Sequence, residues 1–315
     1  MEKAKFPKKV RIVEVGPRDG LQNEKKTISS EDKAKFIELL SASGHQTVEV
    51  TSFVRPDRIP QMGDATKLFP MVSKIKGTSF PCLVPNLKGL EQAIELGVKE
   101  IAVFTASSDT FNQRNINATI SQSFERITPV IERALKEGMK VRGYVSTAFG
   151  CPYEGKVEAK RVVEVASRLD ELGCYEISIG DTIGSGVPSM VAKVLEELIL
   201  KLDKEKLALH FHDTRGTALS NVLTGLSYGI SVFDSSAGGL GGCPYAKGAT
   251  GNLATEDLLY FLNSMGIETG VDLDKLVDAS VFMLGKLEKQ TTSKFLQAYL
   301  NGERKLYLPA EPWNS

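Results

Sequence analysis

Of the 315 residues only three are histidine, and two of these lie together in His210-Phe211-His212-Asp213. In an extended strand, residues i and i+2 face the same side. Both imidazoles therefore enter one space, and Phe211 faces the opposite way. Imidazole is the commonest side-chain metal ligand, so the pair points to a divalent ion. The structural alternative is one histidine capping a loop and the other packed in the core. A hard divalent ion also wants oxygen ligands. Asp19, which closes the first apolar run, is the carboxylate that fits. Arg18 beside it offers a fixed planar cation, although an Arg-Asp turn is also a common surface pair. Glu49 sits between valines in VEVTS. Facing inward it must be paired, since a lone buried carboxylate is costly, and Arg18 is an available partner. Facing outward it is an ordinary solvated glutamate.

The second concentration of chemistry is GGLGGCPYAKGATGN, residues 238–252, of which six are glycine. No packed element needs that many, so this is a loop. Cys243 near its centre is a candidate acid, base or nucleophile. Asn252 at its end reads as a helix N-cap. As a neutral carbonyl ligand it would instead complete a set of two imidazoles, one carboxylate and one amide. Cys151 shares the Cys-Pro-Tyr string but lacks the glycines, and reads as structural.

Eight β-rich runs can position these groups: residues 10–16, 47–52, 78–84, 100–106, 140–146, 174–180, 207–212 and 231–237. Helical patterns fill the gaps between them. In SSEDKAKFIELLSASG, Ser29 or Ser30 is the N-cap, acidic residues fill the first turn and Gly44 is the stop. Eight β-α units over about 250 residues is the arithmetic of an α/β fold of the (β/α)8 TIM barrel kind, whose reactive groups gather at the C-terminal ends of the strands. An open doubly wound sheet would carry GxGxxG after its first strand, where this chain has GPRDG. The sequence thus predicts one domain over 1–315, with a barrel over 8–250 and a C-terminal helical extension over 251–315.

Lys+Arg and Asp+Glu are 39 each. That balance argues against a nucleic-acid or membrane-surface partner. No apolar run approaches the roughly 20 residues that cross a bilayer. Four dispersed cysteines without a CxxC suit a reducing compartment, and the basic first residues lack the apolar core of a secretory signal. The expectation is a cytoplasmic enzyme.

The strings VGPRDGLQNEK, VEVTSFV, PQMGDAT, FGCPYEGKV, SIGDTIG, HFHDTRG and GGLGGCPYAKGATGNLATEDLLYFL together resemble the 3-hydroxy-3-methylglutaryl-CoA lyases. The glycine-rich cysteine loop followed by NLATED is the most specific of them. The Arg-Asp turn and the HxHD are shared with the isopropylmalate and homocitrate synthases and the biotin-linked carboxyltransferases. The resemblance implies metal-assisted retro-Claisen cleavage of an acyl-CoA to acetyl-CoA and acetoacetate, a step of leucine degradation and ketone-body formation. It implies Asp19, His210, His212 and Asn252 as ligands of a divalent metal, Mg2+ or Mn2+. It implies Arg18 as the group that polarises the substrate carbonyl, Glu49 as its organiser, and Cys243 as a proton-transfer residue. Asp19 or His210 would take the substrate hydroxyl proton. Asn115, Arg142, Tyr144 and Ser178 match positions near the acyl-CoA substrate. With neither an N-terminal targeting extension nor a peroxisomal tripeptide in view, the chain resembles the bacterial form.

Two other enzymes share most of these features. A condensing synthase would use the same metal, arginine and HxH, but should carry a substantial C-terminal domain. A lyase for a longer hydroxyglutaryl-CoA would differ only in pocket size. A metal-bound barrel without catalysis is disfavoured by the intact ligand set and the loop cysteine. The helical tail offers apolar surface that could form a homodimer or pack on the barrel.

Overall fold

The structure is a computed structural model, and it describes residues 6–242 and 251–302. Cys243 lies outside the described residues. The sheet is built from nine short strands: β1 (Arg11–Glu14), β2 (Thr47–Val48), β3 (Thr51–Ser52), β4 (Cys82–Leu83), β5 (Glu100–Ala106), β6 (Lys140–Ser146), β7 (Glu176–Asp181), β8 (Leu207–Phe211) and β9 (Val232–Ser235). All pair in parallel, in the order β2-β1-β9-β8-β7-β6-β5-β4-β3.

The two outermost strands, β2 and β3, are consecutive pieces of the single run expected over 47–52. The Glu49 amide donates to Glu14 O on one flank (2.9 Å), and the Val50 amide donates to Pro81 O on the other (3.1 Å). One extended segment thus joins both edges, and the sheet closes into the expected eight-stranded TIM barrel. The run expected over 78–84 is regular only at Cys82–Leu83, because Pro81 has no amide hydrogen to give to a ladder.

A helix follows each strand position. Ser29 caps α1 (Ser30–Ala42) by accepting from the Asp32 amide at 3.1 Å. At Gly44 (φ 101°) the chain passes so close to Gly270 that a Cβ would lie 2.3 Å from Gly270 O. Two helices were not anticipated. α2 (Ala65–Val72) contains Pro70, and α4 (Asp109–Ile116) is mostly polar (DTFNQRNI). The Ser108 hydroxyl caps α4 by accepting from the Phe111 amide at 3.0 Å. The remaining barrel helices are α3 (Leu87–Glu95), α5 (Ile120–Lys136), α6 (Ala159–Glu171), α7 (Pro188–Leu198), α8 (Ala218–Ser227) and α9 (Thr255–Ser264). The helix that completes the eighth unit, α9, thus lies past residue 250. Then come α10 (Leu273–Leu287), which packs on α1, and α11 (Lys294–Leu300). Among the described residues no helix is long and apolar enough to cross a membrane.

Strand alternation divides the interior into two media. Ile101, Val103, Val141, Val145, Ile177, Ile179, Leu209, Phe211 and Phe233 join the large apolar core with the helices. Inside the barrel, Val13, Val15, Ala208 and Val232 form a small separate plug. Glu49, Arg142, Tyr144, Ser178, His210 and Asp234 are also buried, and hydrogen bonds and ion pairs link them across the barrel. Burial of so many polar groups is tolerable only if they satisfy one another.

Glu14 shows how closely the first turn is tied down. Its carboxyl accepts from the amides of Gly16 (2.7 Å) and Ala237 (3.0 Å) and from the Thr255 hydroxyl (2.7 Å). Burial pushes its pKa up to about 8 against these bonds, and Glu256 is raised to about 7, again chiefly by burial. A carboxyl raised in the fold keeps its proton while the unfolded chain loses its own near 4.5. Stability from Glu14 is therefore full below about pH 4.5 and is lost as pH rises toward about 8. Glu14→Gln mimics the protonated form. It should flatten the fall in unfolding free energy, and with it the fall in melting temperature, between these limits; the free-energy change is on the order of a few kcal/mol. Parallel melting curves for the variant and the parent across that window would contradict this.

Candidate active site

The residues that follow β1 form one wide π-helical turn, Gly16–Gly20, which carries Arg18 and Asp19 to the barrel mouth. β8 presents His210 and continues into His212, which bridges to Asn252 beside it. Asp213 N to Gly251 O (2.9 Å) and Leu253 N to Phe211 O (3.0 Å) hold that pairing. Segments more than 190 residues apart thus meet, and the ligand atoms of Asp19, His210 and His212 lie within 4.8 Å of one another. The Asn252 amide nitrogen donates to Asp19 Oδ2 at 2.9 Å and to Leu240 O at 3.2 Å.

The donor set fits a divalent cation. Among the described residues, His212 Nδ1 and Asn252 Oδ1 are buried without a hydrogen-bond partner, and such atoms are costly unless something ligates them. Burial, reinforced by the charge of His210, lowers the His212 pKa to about 4, so its imidazole is neutral and able to ligate. Burial opposes ionisation of Asp19, but Arg18, the two histidines and the Asn252 amide outweigh it and hold the carboxyl at about 2. For His210 burial again disfavours charge, yet Asp234 and Asp19 prevail and its pKa moves up.

Arg18 is held from two sides, by Asp19 Oδ1 at 2.6 Å and Glu49 Oε2 at 2.7 Å. Its guanidinium carbon lies 5.4 Å from the centre of the Tyr144 ring, and the Tyr144 hydroxyl donates to Glu49 Oε2 at 3.0 Å. Glu49 is the inward, paired glutamate of the two alternatives open to the sequence. Burial raises its pKa against the pull of Arg18, and its Oε1 has no partner.

A cavity of about 770 Å³ opens over these groups. Arg18, Asp19, His210, His212, Tyr144 and Asn115 all line it, Asn115 coming from the unanticipated α4. Arg142 and Ser178, expected beside the acyl-CoA, do not line it. Both are fully buried below, bonded to Asp234. Around the mouth stand Arg55, Arg58, Arg114 and Arg126, against Asp19 as the single acidic group among the described lining residues. Sequence reasoning missed these arginines because local spacing does not show that residues 55–58 and 114–126 share a rim. It also missed Asp234, although a carboxylate within a strand is the same signal that singled out Glu49.

A family model described as HMGL-like matches residues 9–283. The chain is 51% identical over 295 residues to the 3-hydroxy-3-isohexenylglutaryl-CoA/hydroxy-methylglutaryl-CoA lyase of Pseudomonas aeruginosa, covering 94% of this chain and 98% of that one. It is 50% identical over 293 residues to the human mitochondrial hydroxymethylglutaryl-CoA lyase, covering 93% and 90%. Among solved structures it resembles an HMG-CoA lyase from Acinetobacter baumannii in complex with coenzyme A and 3-methylmalate. That match has 35% identity and a TM-score of 0.89, over 98% of this chain and all of that one.

Proposed function

Given that this chain belongs to the hydroxymethylglutaryl-CoA lyases of the HMGL-like family, we propose that it splits 3-hydroxy-3-methylglutaryl-CoA into acetoacetate and acetyl-CoA at the cavity over Asp19, His210 and His212. The observation that carries this is the convergence of those three ligand atoms within 4.8 Å, beside a doubly paired Arg18, under a basic-rimmed cavity.

Asp19, His210, His212 and Asn252 would hold Mg2+ or Mn2+. The ion would lower the pKa of the substrate's tertiary hydroxyl and fix the reacting bond. The hydroxyl proton passes to the protein as the bond between the thioester α-carbon and the carbinol carbon breaks. Asp19 and His210 are the two candidate acceptors; Asp19 is held at about 2, and His210 can accept only through a nitrogen that is not given to the ion. Electrons of the broken bond move onto the thioester carbonyl, where the Arg18 guanidinium stabilises the growing negative charge. Asn115 and Tyr144 line the path of the acyl chain, and the arginines of the rim suit the phosphates of CoA.

The α-carbon of the enolate must then take a proton. Cys243, on the glycine-rich segment, is the proposed donor, since a thiol of pKa about 8.5 is mostly protonated at neutral pH. Cys243→Ser should lower kcat by about 10²–10⁴ while Mn2+ affinity is retained. A parallel loss of affinity would remove the acid role.

A second substrate is favoured by the apolar part of the cavity wall, Val54, Ile59, Leu83 and Phe104, and by the isohexenyl substrate in the name of the Pseudomonas relative. The test is to follow acetoacetate and acetyl-CoA from 3-hydroxy-3-methylglutaryl-CoA beside the isohexenyl analogue. Equimolar products from the methyl compound are expected. Free CoA released from acetyl-CoA plus a 2-oxo acid, without cleavage of either hydroxyglutaryl thioester, would place the protein among the condensing enzymes instead.

A further inference from the structure

The two histidines of the site are held differently. His212 Nδ1 has no hydrogen-bond partner. His210 Nδ1 faces Asp234 Oδ2 at 3.3 Å, from the adjacent position on β9. Asp234 is itself fixed by three further bonds. Arg142 grips it with two nitrogens (Nη2 to Oδ1 at 2.7 Å, Nη1 to Oδ2 at 3.1 Å), and the Ser178 hydroxyl donates to Oδ2 at 2.8 Å. Arg142 is anchored in turn, donating from Nε to Glu176 Oε1 at 2.7 Å and from Nη1 to the Tyr144 hydroxyl at 2.7 Å. All of these groups are buried.

An ionised carboxylate can only accept, and a guanidinium can only donate. With Arg142 keeping Asp234 ionised, the group at 3.3 Å from its oxygen must be an N–H. A neutral imidazole carries one proton, so its second nitrogen is then a free lone pair. We propose that Asp234 is a positioning residue of the site: it keeps the ring proton of His210 on Nδ1, leaving Nε2 as the ligating nitrogen, and Arg142 and Ser178 serve Asp234 rather than the substrate. A carboxylate behind a ligating histidine fixes the tautomer and ring angle and makes the ligand a better donor. The inference rests on the reading of Asp19, His210 and His212 as a metal site. It also accounts for a deep layer of charge that touches neither the cavity nor solvent.

The direct test needs no variant of the layer. Uniformly 15N-histidine-labelled, metal-free protein has three imidazoles to resolve, with His212 assigned from His212→Ala. In buffer alkaline enough for neutral rings, His210 should show a protonated Nδ1 and a bare Nε2. The Nε2–H tautomer at His210 would overturn the proposal. Asp234→Asn, whose amide can serve either tautomer, should release that preference and weaken Mn2+ binding by about 10–100-fold. Ser178→Ala leaves Arg142 its counter-charge, and it should weaken Mn2+ binding less, with KM for the acyl-CoA unchanged. A raised KM at unchanged Mn2+ affinity would return Ser178 to the substrate and contradict the assignment. If His210 shows the expected tautomer and no divalent ion binds, the metal reading fails while the positioning of His210 stands.

Discussion

His212→Ala should abolish cleavage and divalent-ion binding together while the protein stays folded. The size of the effect follows from what His212 does in the fold, which is little. Its Nδ1 makes no hydrogen bond to protein, and its backbone pairing with Asn252 does not depend on the ring. Truncation removes a buried polar atom that nothing among the described residues satisfies, so the melting temperature of the metal-free protein should be unchanged or slightly higher. Loss of a residue that merely supports a ligand weakens metal binding by about 10–100-fold; loss of the ligand itself should exceed that. Turnover at saturating substrate should fall by at least about 10³. The check is a pair of titrations, Mn2+ against each protein and turnover against Mn2+. A variant that keeps full ion affinity would remove His212 from the ligand set.

Arg18→Lys is the second large effect, and it should appear in kcat rather than in ion affinity. Arg18 spans Asp19 Oδ1 at 2.6 Å and Glu49 Oε2 at 2.7 Å from separate nitrogens of one rigid plane. A lysine ammonium is a single point and cannot reproduce that fork while also facing the substrate. When that one ammonium turns to Asp19 or the substrate, Glu49, whose pKa burial already raises, loses its close partner and takes up a proton more readily. Charge developing on the thioester oxygen would then meet no preorganised donor, a loss of about 10²–10³ in kcat. Mn2+ affinity should stay within about tenfold, because Asp19 keeps both histidines and the Asn252 amide. A variant with parental kcat would show that the arginine organises Asp19 and does nothing for the transition state.

The fold was legible because the strands obey local rules. Residues 100–106 and 140–146 are regular over the full predicted length; both are rich in β-formers and largely buried on two faces, as a parallel barrel requires. The run at 47–52 was found, but not its division between two neighbours, since hydrogen-bond partners are a property of the closed sheet. α4 escaped notice because DTFNQRNI has no apolar period; its hydroxyl cap at Ser108 and its place over the cavity define it. At the site, the HxH and the Arg-Asp turn pointed to their shared space because strand alternation and barrel closure are general. The charged layer beneath was not readable in the same way. Arg142 and Asp234 lie 92 residues apart, and only the register of β6 to β9 brings them together.

If Asp19, His210, His212 and Asn252 gather one divalent ion, no cleavage should occur without it. The most direct measurement is acetoacetate release from 3-hydroxy-3-methylglutaryl-CoA by chelator-stripped protein, followed as Mg2+ or Mn2+ is returned. Stripped protein should release none, and turnover should return saturably at one ion per chain. Undiminished turnover by protein shown to be free of divalent metal would contradict this.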